Sequence, residues 1–469
     1  MKKINEKIFY FCNDSERAVG IENYFTDYHI ICIDYNETVD YMINDGVKVF
    51  SLEKERGEFN PIFRSTYKLM QDDLALDYVK KNISKGEIPN IIVFKPSKKI
   101  EKLVDKYGWK LLNPDSSYNR KYERKISQYR LLSKEDKSIF PKSVVDRLES
   151  LGYEELVKKL GERFVIQYNI GHTGSSTVYI DNKEDFDLEQ GKSGKKIARI
   201  AEYIEGRTWT LNAVVTRFGT LYGGLSYQIT GIKECTSGSG ATVGNDWGLS
   251  SLLSEKQISE IERIVKIVSD KLHSEGYRGM FGFDFVESKS DGRIYLIEVN
   301  MRQPASTSMH TYILKSLNLP SLLLFHILEF LYSDDKLYLE QLSKMISRNI
   351  IKSNIEEYIS EYNELAIKPS DYAQIFIRNR YEKEVTYDTI LLPGKYTFND
   401  YTRVSDCWNV SGLESSNEFL LLSFTPGHII NSGNEIARIV TKESIMSLDE
   451  KVKDKYLRFI KKIRLISET

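Results

Sequence analysis

Gly279–Arg302, GMFGFDFVESKSDGRIYLIEVNMR, is the stretch on which the reading of this chain turns. Two short β-like runs, Met280–Glu287 and Arg293–Val299, flank a polar Ser-Lys-Ser-Asp-Gly turn in which Gly292 is free to take positive φ, so the segment predicts a hairpin. Period-2 alternation puts Asp284, Glu298 and Asn300 on one face near neighbouring strand ends and sends Phe283, Phe285, Ile297 and Val299 into a core. Two carboxylates and an amide carbonyl are hard oxygen donors, the kind Mg2+ takes while keeping waters and gripping substrate phosphates. Arg302, two positions past the Asn, is suited to stabilise charge on a transferring phosphoryl group. The plain alternative is a solvated hairpin with an acidic outer face, a common pattern in antiparallel sheets.

Length sets the frame for that hairpin: 469 residues exceed one ordinary core, so two to four domains are expected. With 41% hydrophobic and 28% charged residues the chain reads as globular, and a net charge of -1 argues against a binder of nucleic-acid backbone, whose footprint is strongly basic. No apolar run reaches transmembrane length, and MKKINEKIFYFCND leads straight into a strand without a small-residue cleavage site, so a cytoplasmic protein without a membrane partner is expected. Cys12, Cys32, Cys235 and Cys407 are too far apart for a metal knuckle or a CxxC pair and are read as reduced thiols. The six His residues likewise lack metal spacing, and His172 is read as an ordinary loop residue.

Upstream, Ile8–Cys12, Ile30–Ile33, Val47–Ser51, Ile91–Phe94 and Trp109–Leu112 read as buried strands, with helices near Glu16–Phe25, Arg64–Asn82 and Ser97–Tyr107 between them. That alternation predicts an open parallel sheet covered on both faces. Cys12-Asn13-Asp14-Ser15 stands where a dinucleotide fingerprint would follow the first strand, so no nicotinamide site is assigned, and Asn13 and Ser15 are read as helix caps. Asn113–Tyr129 is polar and basic and reads as a crossover. Ser143–Leu160 is expected to be helical, followed by a hairpin of Arg163–Asn169 and Thr177–Asp181 joined by Ile170-Gly171-His172-Thr173-Gly174-Ser175-Ser176. Small Gly and Ser residues let backbone N–H groups approach an anion, which makes this connection a candidate phosphate-covering flap.

Tyr203-Ile204-Glu205-Gly206 is a strand end whose backbone can read an adenine edge while Ile covers its face. Beyond it lie strands Trp209–Val215 and Thr220–Ile229, a long Gly/Ser-rich loop Cys235–Gly248, and a helix Glu255–Glu275. After the hairpin, Pro304–Leu317, Ser321–Tyr332 and Glu340–Asn363 read as helices. The chain then turns β-rich at Gln374–Arg378, Asp388–Leu391, Phe419–Phe424 and Glu435–Val440, and closes with a helix near Leu448–Ile463.

In this order, YIEG (Tyr203–Gly206), GYRGMFGFDF (Gly276–Phe285) and IEVNMR (Ile297–Arg302) resemble the ATP-grasp superfamily of carboxylate-activating ligases. The resemblance covers about Tyr118 to Tyr332, and Lys7–Leu112 resembles the Rossmann-like domain that often precedes it. The fold it implies is α/β and α+β: a Rossmann-like domain over 1–117, an ATP-grasp domain over 118–334, and a β-rich C-terminal lid or docking domain over 335–469. It implies ATP held between two subdomains, with Asp284, Glu298 and Asn300 as Mg2+ ligands and Arg302 with Asn300 at the transferring phosphoryl group. Gly171, Gly174, Ser175, Ser176 and Thr177 would close over the phosphates, and Glu202, Tyr203 and Ile204 would border adenine.

The chain departs from the family pattern at several places. Gln167 stands where many relatives carry a Lys before the flap, Ala201 replaces an acidic residue at the adenine-binding strand end, and Thr208 stands at a ribose-binding acidic position. Lys195, Lys196 or Arg199 are candidates for the missing charge, and Lys121 or Lys125 for an upstream lysine, with Lys125 counted among the nucleotide-binding residues.

The resemblance implies activation of a carboxylate as an acyl phosphate and its capture by an amine, as in the peptide ligases of bacterial secondary metabolism. Small-molecule carboxylate and amine substrates are expected, and a homodimer is compatible with the reading. One alternative is a carboxylate–thiol ligase loading an amino acid onto an acidic carrier protein, for which Lys121–Lys125 and Lys192–Lys196 are basic enough. Another is a non-catalytic ATP-binding regulatory protein. Biotin-dependent carboxylation shares the E-x-N-x-R segment, but the flap is short here and no biotin-carrier motif occurs. Cys235–Gly248 and Pro304–His310 are the expected flanks of the acyl phosphate, with Asp246 and Arg278 as candidate positioning charges.

Overall fold

The computed structural model describes residues 3–58, 64–169, 177–238, 240–387 and 391–467. Its N-terminal part is a parallel sheet of β1 (Ile4–Phe11), β2 (Phe25–Cys32), β3 (Lys48–Ser51), β4 (Asn90–Val93) and β5 (Lys110–Leu111), in the order β3-β2-β1-β4-β5. The strands are apolar on both faces because both are covered: Ile8 and Tyr10 join one core, Phe9 and Phe11 another. Helix Lys98–Tyr107 lies where the periodicity predicts it, whereas the helix expected over Arg64–Asn82 is two, Thr66–Leu69 and Asp73–Lys81, the second opened by Asp72 as its cap.

The helix expected over Glu16–Phe25 is instead a single 3-10 turn, Ser15–Ala18, after which the chain runs toward β2. Gly20, at φ 100°, breaks any helical continuation. No side chain caps this turn, so Asn13 and Ser15 are not caps, and Asn13 Oδ1 is buried with no hydrogen-bond partner.

The middle of the chain builds a four-stranded antiparallel sheet from β6 (Ser143–Arg147), β7 (Phe164–Gln167), β8 (Thr177–Ile180) and β9 (Ile197–Glu202), in the order β6-β9-β7-β8. The expected helix over Ser143–Leu160 is thus corrected: Ser143–Arg147 pairs with β9 as a strand, and only Tyr153–Leu160 is helical. Val144 and Val145 favour the pleated sheet. Phe164, Ile166, Ala198 and Ile200 bury one face of the sheet against Leu156, Leu160 and Phe186 of two helices. By strand alternation Val165, Gln167, Arg199 and Ala201 share the other face. The flap residues Ile170–Ser176 lie outside the described residues.

The largest sheet has ten strands. It takes in β10 (Gly206–Thr216), β11 (Gly219–Thr230), β12 (Thr242–Asp246), β13 (Gly279–Ser288), β14 (Ile294–Asn300), β15 (Ala373–Arg378), β16 (Gly394–Thr397), β17 (Arg403–Ser405), β18 (Glu418–Ser423) and β19 (Glu435–Thr441). Their order is β14-β13-β10-β11-β12-β15-β19-β18-β16-β17. Part of the expected Cys235–Gly248 loop is therefore β12, which pairs with both β11 and β15 and joins the central strands to the C-terminal ones. Asp246 is buried there and accepts backbone N–H groups from Gly248 (3.1 Å), Leu249 (3.2 Å) and Met446 (3.0 Å). It ties the joint together and does not face a substrate. Arg278 is likewise bound to the carbonyl of Tyr277 at 2.6 Å beside Glu329.

Helix Glu255–Ser274 backs this sheet, opened by a capping box between Ser254 and Gln257. The apolar helix Leu322–Leu331 packs on β10 and β13. The expected helix over Glu340–Asn363 is two, Asp335–Ile346 and Ile355–Ala366, parted at Ser347 with φ 54°. The strand expected at Asp388–Leu391 falls mostly outside the described residues. The closing helix is Asp454–Ser467, starting later than expected because Met446 and Val452 form a bridge before it.

Candidate active site

The hairpin forms as its sequence predicts, with Asp284 directly opposite Glu298 and Gly282 opposite Asn300. A bulge interrupts the pairing, so that Phe285 faces Leu296 and Ile297 is the extra residue. Ile297 is accordingly only half-buried, and Leu296 takes the core place expected of it beside Phe283, Phe285 and Val299. This bulge lets Glu298 and Asp284 share a face although fourteen positions separate them in the chain.

Around the two carboxylates the polar groups form one chain. Asn300 Nδ2 donates to Asp284 Oδ2 at 2.9 Å, and Arg302 Nη2 donates to Asn300 Oδ1 at 3.0 Å. Lys125 Nζ reaches Glu298 Oε2 at 3.2 Å. Arg302 Nε lies 3.9 Å from Glu123, which also accepts from Lys95 at 2.5 Å. Burial and the facing Glu298 push the Asp284 carboxyl up to about 7, against the opposing pull of Asn300, Arg302 and Lys125. Two facing carboxylates and one amide, half-buried and balanced by Lys and Arg, fit Mg2+ as oxygen donors. Among the described residues no group of three His, Cys, Asp or Glu converges.

Helix Lys125–Leu132 connects this cluster to the four-stranded sheet. Its buried Gln128 accepts the Val299 N–H at 3.1 Å and donates to the Ile297 carbonyl at 3.5 Å, clamping β14 on either side of Glu298. The backbone N–H of its second residue donates to Asn169 just past β7: Ile126 N to Oδ1, 3.1 Å. Tyr129 lies under the Arg199 guanidinium, 4.8 Å from its carbon. One short helix thus sets the hairpin carboxylates against the face that carries Gln167 and Arg199.

Arg199 is 2% exposed, donates through Nε and Nη2 to Ser143 Oγ at 3.1 Å, and also stacks over Phe140 at 5.1 Å. Among the described residues no carboxylate pairs with it, and burial pushes it down to about 10. Gln167 sits directly across the strand pair from Arg199 and keeps a buried Oε1 without a hydrogen-bond partner. Lys195 and Lys196 are exposed, and Lys196 is occupied with Ser193 Oγ at 3.2 Å. Of the three candidates for the missing charge, Arg199 alone is buried on this face. Of the two upstream lysines, Lys125 is at the cluster, whereas Lys121 pairs with Glu275 at 2.5 Å.

Glu202, Tyr203 and Ile204 lie at the end of β9, all half-buried, with the Tyr203 ring against Tyr179 and under Arg163 at 4.3 Å. Thr177 opens β8 opposite Gln167, while Gly171, Gly174, Ser175 and Ser176 fall outside the described residues. Sequence reasoning missed Glu123, Gln128 and Phe94. The Phe94 ring lies between Arg302, 5.4 Å from its centre, and Arg17, 4.3 Å from it. Gln128 left one usable trace, a polar residue on the buried side of a short helix.

Residues 123–306 match the family model of the ATP-grasp domain, so the chain carries an ATP-grasp domain over that range. A search of the curated proteins found no match. Among solved structures, biotin carboxylase of Campylobacter jejuni superposes with a TM-score of 0.54 at 11% identity, over 93% of this chain and 87% of that one. Carboxyaminoimidazole ribonucleotide synthase of Aspergillus clavatus, solved with ATP, gives 0.53 at 10% identity over 98% and 99%. Phosphoribosylamine–glycine ligase of Thermotoga maritima gives 0.51 at 14% over 98% and 97%. At these identities the likeness is one of fold.

Proposed function

We propose that the chain is an ATP-dependent ligase that activates a carboxylate as an acyl phosphate and joins it to an amine, with release of ADP and phosphate. The observation that carries the reading is the Asp284–Glu298–Asn300–Arg302 cluster, linked through Lys125 and its helix to the face of Gln167 and Arg199. Phosphoryl transfer needs chiefly positioning and charge neutralisation, which such a cluster provides without a protein nucleophile.

In this reading Asp284, Glu298 and Asn300 hold Mg2+, which when bound neutralises phosphate charge and orients the terminal phosphoryl group. Lys125 fixes Glu298, and Arg302, held by Asn300, faces the charge that develops during transfer. Arg199 compensates phosphate charge in place of the Lys that Gln167 lacks, and Gln167 Oε1 accepts a donor from the nucleotide. A carboxylate oxygen of the substrate attacks the terminal phosphorus and ADP leaves. The amine nitrogen then attacks the carbonyl carbon, phosphate leaves, and the nitrogen loses a proton. We assign residues 1–117, 118–334 and 335–469 to the preceding domain, the ATP-grasp domain and a C-terminal lid or docking domain.

Peptide-type ligation in bacterial secondary metabolism is the setting we favour, with an amino acid or peptide as one substrate. The test is release of ADP from Mg-ATP against amino acids and short peptides, singly and in pairs, with product mass measured. A product of amide mass supports the reading, and one formed only on a carrier protein's thiol overturns it. Glu298→Ala is expected to abolish release, and release at the parent rate would refute the metal assignment.

A further inference from the structure

Asn13-Asp14-Ser15, which replaces a dinucleotide fingerprint and caps no helix, forms one wall of a charged cleft. Two adjoining hollows share Asp14, Glu16, Arg64 and Arg438, and the larger has a volume of about 280 Å3. The cleft lies past the carboxyl ends of β1 and β2, against the C-terminal strands β18 and β19. Open parallel sheets place ligands beyond the carboxyl ends of their strands.

Its charges are mixed and balanced. Four carboxylates (Asp14, Glu16, Asp34, Glu435) face four guanidiniums (Arg17, Arg64, Arg378, Arg438). Arg17 Nε donates to Asp14 Oδ2 at 2.9 Å, Arg438 lies 3.1 Å from Glu16 and 2.9 Å from Glu435, and Arg64 pairs with Asp34. These pairs leave acceptors over. Asp34 is 4% exposed, and its Oδ1 has no hydrogen-bond partner among the described residues, as is also true of Asp14 Oδ1 and Asn13 Oδ1. Buried acceptors without donors are costly and fit a ligand rich in N–H groups. Burial holds Glu16 and Asp34 up at about 7, against the opposing pull of Arg438 and Arg64. Phe376, under Arg438 at 4.6 Å, with Phe424 and Ile429 forms an apolar wall.

The cleft reaches the phosphoryl-transfer residues. Arg17, on its rim, stacks on the ring whose other contact is Arg302. Gln303, next to Arg302, donates to the Arg17 carbonyl at 2.9 Å and accepts from Tyr10 at 2.6 Å, and Ala305 lines the cleft.

We propose that this cleft binds a substrate as a zwitterionic α-amino acid with an apolar side chain, its ammonium on Asn13, Asp14 and Asp34 and its carboxylate toward Arg17 and Arg438. A balanced dipolar site suits a neutral zwitterion, whereas a phosphorylated substrate would meet four carboxylates. The proposal rests on the ligase reading for its purpose, but binding is measurable without turnover.

The test is calorimetric titration of the full chain, with and without Mg2+ and a non-hydrolysable ATP analogue. The probes are L-leucine and L-phenylalanine, their deamino acids, their decarboxylated amines, and ribose 5-phosphate. Binding of an amino acid with each truncated analogue at least tenfold weaker supports the assignment. Equal binding of a deamino acid or an amine, tighter binding of ribose 5-phosphate, or no binding of either amino acid overturns it. Asp34→Asn is expected to weaken amino-acid binding at least tenfold while binding of the ATP analogue is unchanged; unchanged amino-acid affinity overturns the proposal. Asp14→Asn, at a more exposed position, serves the same purpose if Asp34→Asn does not fold. Amino-acid binding without ADP release from Mg-ATP would keep the cleft and remove the ligase. ADP release whose amino-acid KM is unmoved by either variant would keep the ligase and remove the cleft.

Discussion

Asp284 and Glu298 face each other across β13 and β14, with Asn300 donating to Asp284, Lys125 to Glu298 and Arg302 to Asn300, so each removal leaves a specific imbalance. Asp284→Asn keeps the shape and removes one donor charge. We expect it to raise the Mg2+ concentration for half-maximal ADP release at least tenfold without moving the melting temperature, because it also relieves repulsion by Glu298. Arg199 gives a sharper contrast. Replacing a buried unpaired charge by an apolar residue of similar volume is often neutral or stabilising. Arg199→Leu should therefore leave the melting temperature unchanged or higher while weakening ATP at least tenfold, and Arg199→Lys should recover part of the affinity. Loss of stability with intact ATP binding would make Arg199 a structural residue. That Asp284, Glu298 and Asn300 come together was legible in the sequence because period-2 alternation fixes which residues share a face. Arg199 was legible only as one of three candidates, because burial decides among them and neighbouring residues do not encode it.

At the scale of elements, helix Lys125–Leu132 is the bridge between the two faces of the cleft. Gln128→Leu keeps its volume but leaves the Val299 N–H without its partner in the interior. The expected loss is about 1–3 kcal/mol in denaturant unfolding, with a fall in ADP release larger than the stability loss predicts. A loss in stability with full activity would detach the helix from the site. A second joint ties the N-terminal domain to the C-terminal strands: buried His428 bonds Glu53 Oε2 at 3.0 Å through Nε2 and the Thr425 carbonyl at 3.0 Å through Nδ1. Glu53 and the carbonyl raise the imidazole above its ordinary value against the opposing effect of burial, and Asp34 also faces it. A raised folded value means that its stabilisation is complete below about pH 6.5 and is lost as pH rises through the raised value. Asp34, raised to about 7, acts with the same sign, since the folded state holds its proton more tightly. Thermal stability should thus fall from pH 6 to pH 8, and His428→Gln should flatten the profile; an unchanged slope would contradict the assignment. Elements with a strong period were readable in advance, as β13, β14 and helix Glu255–Ser274 show. Ser143–Arg147 and Thr242–Asp246 were not, because their strand state comes from partners distant in sequence, β9 in one case and β11 with β15 in the other.

Across the whole molecule, one ten-stranded sheet carries the Asp284–Glu298 hairpin at one edge and the C-terminal strands toward the other. Those strands close the charged cleft against the N-terminal sheet, and Phe94 with Arg17 and Arg302 links that cleft to the cluster of Asp284, Glu298 and Asn300. The parallel N-terminal sheet and the central hairpin could be read from local pattern. The cleft could not, since Asp34, Glu435 and Arg438 come from segments some four hundred residues apart. The proposed reaction joins a nucleotide half and an amino-acid half, and a single assay addresses that union. ADP release from Mg-ATP should require an added amino acid with an apolar side chain, be abolished by Glu298→Ala, and yield a product of amide mass. ADP release at the full rate in Glu298→Ala, or none from the parent chain with any amino acid or peptide pair, would contradict it.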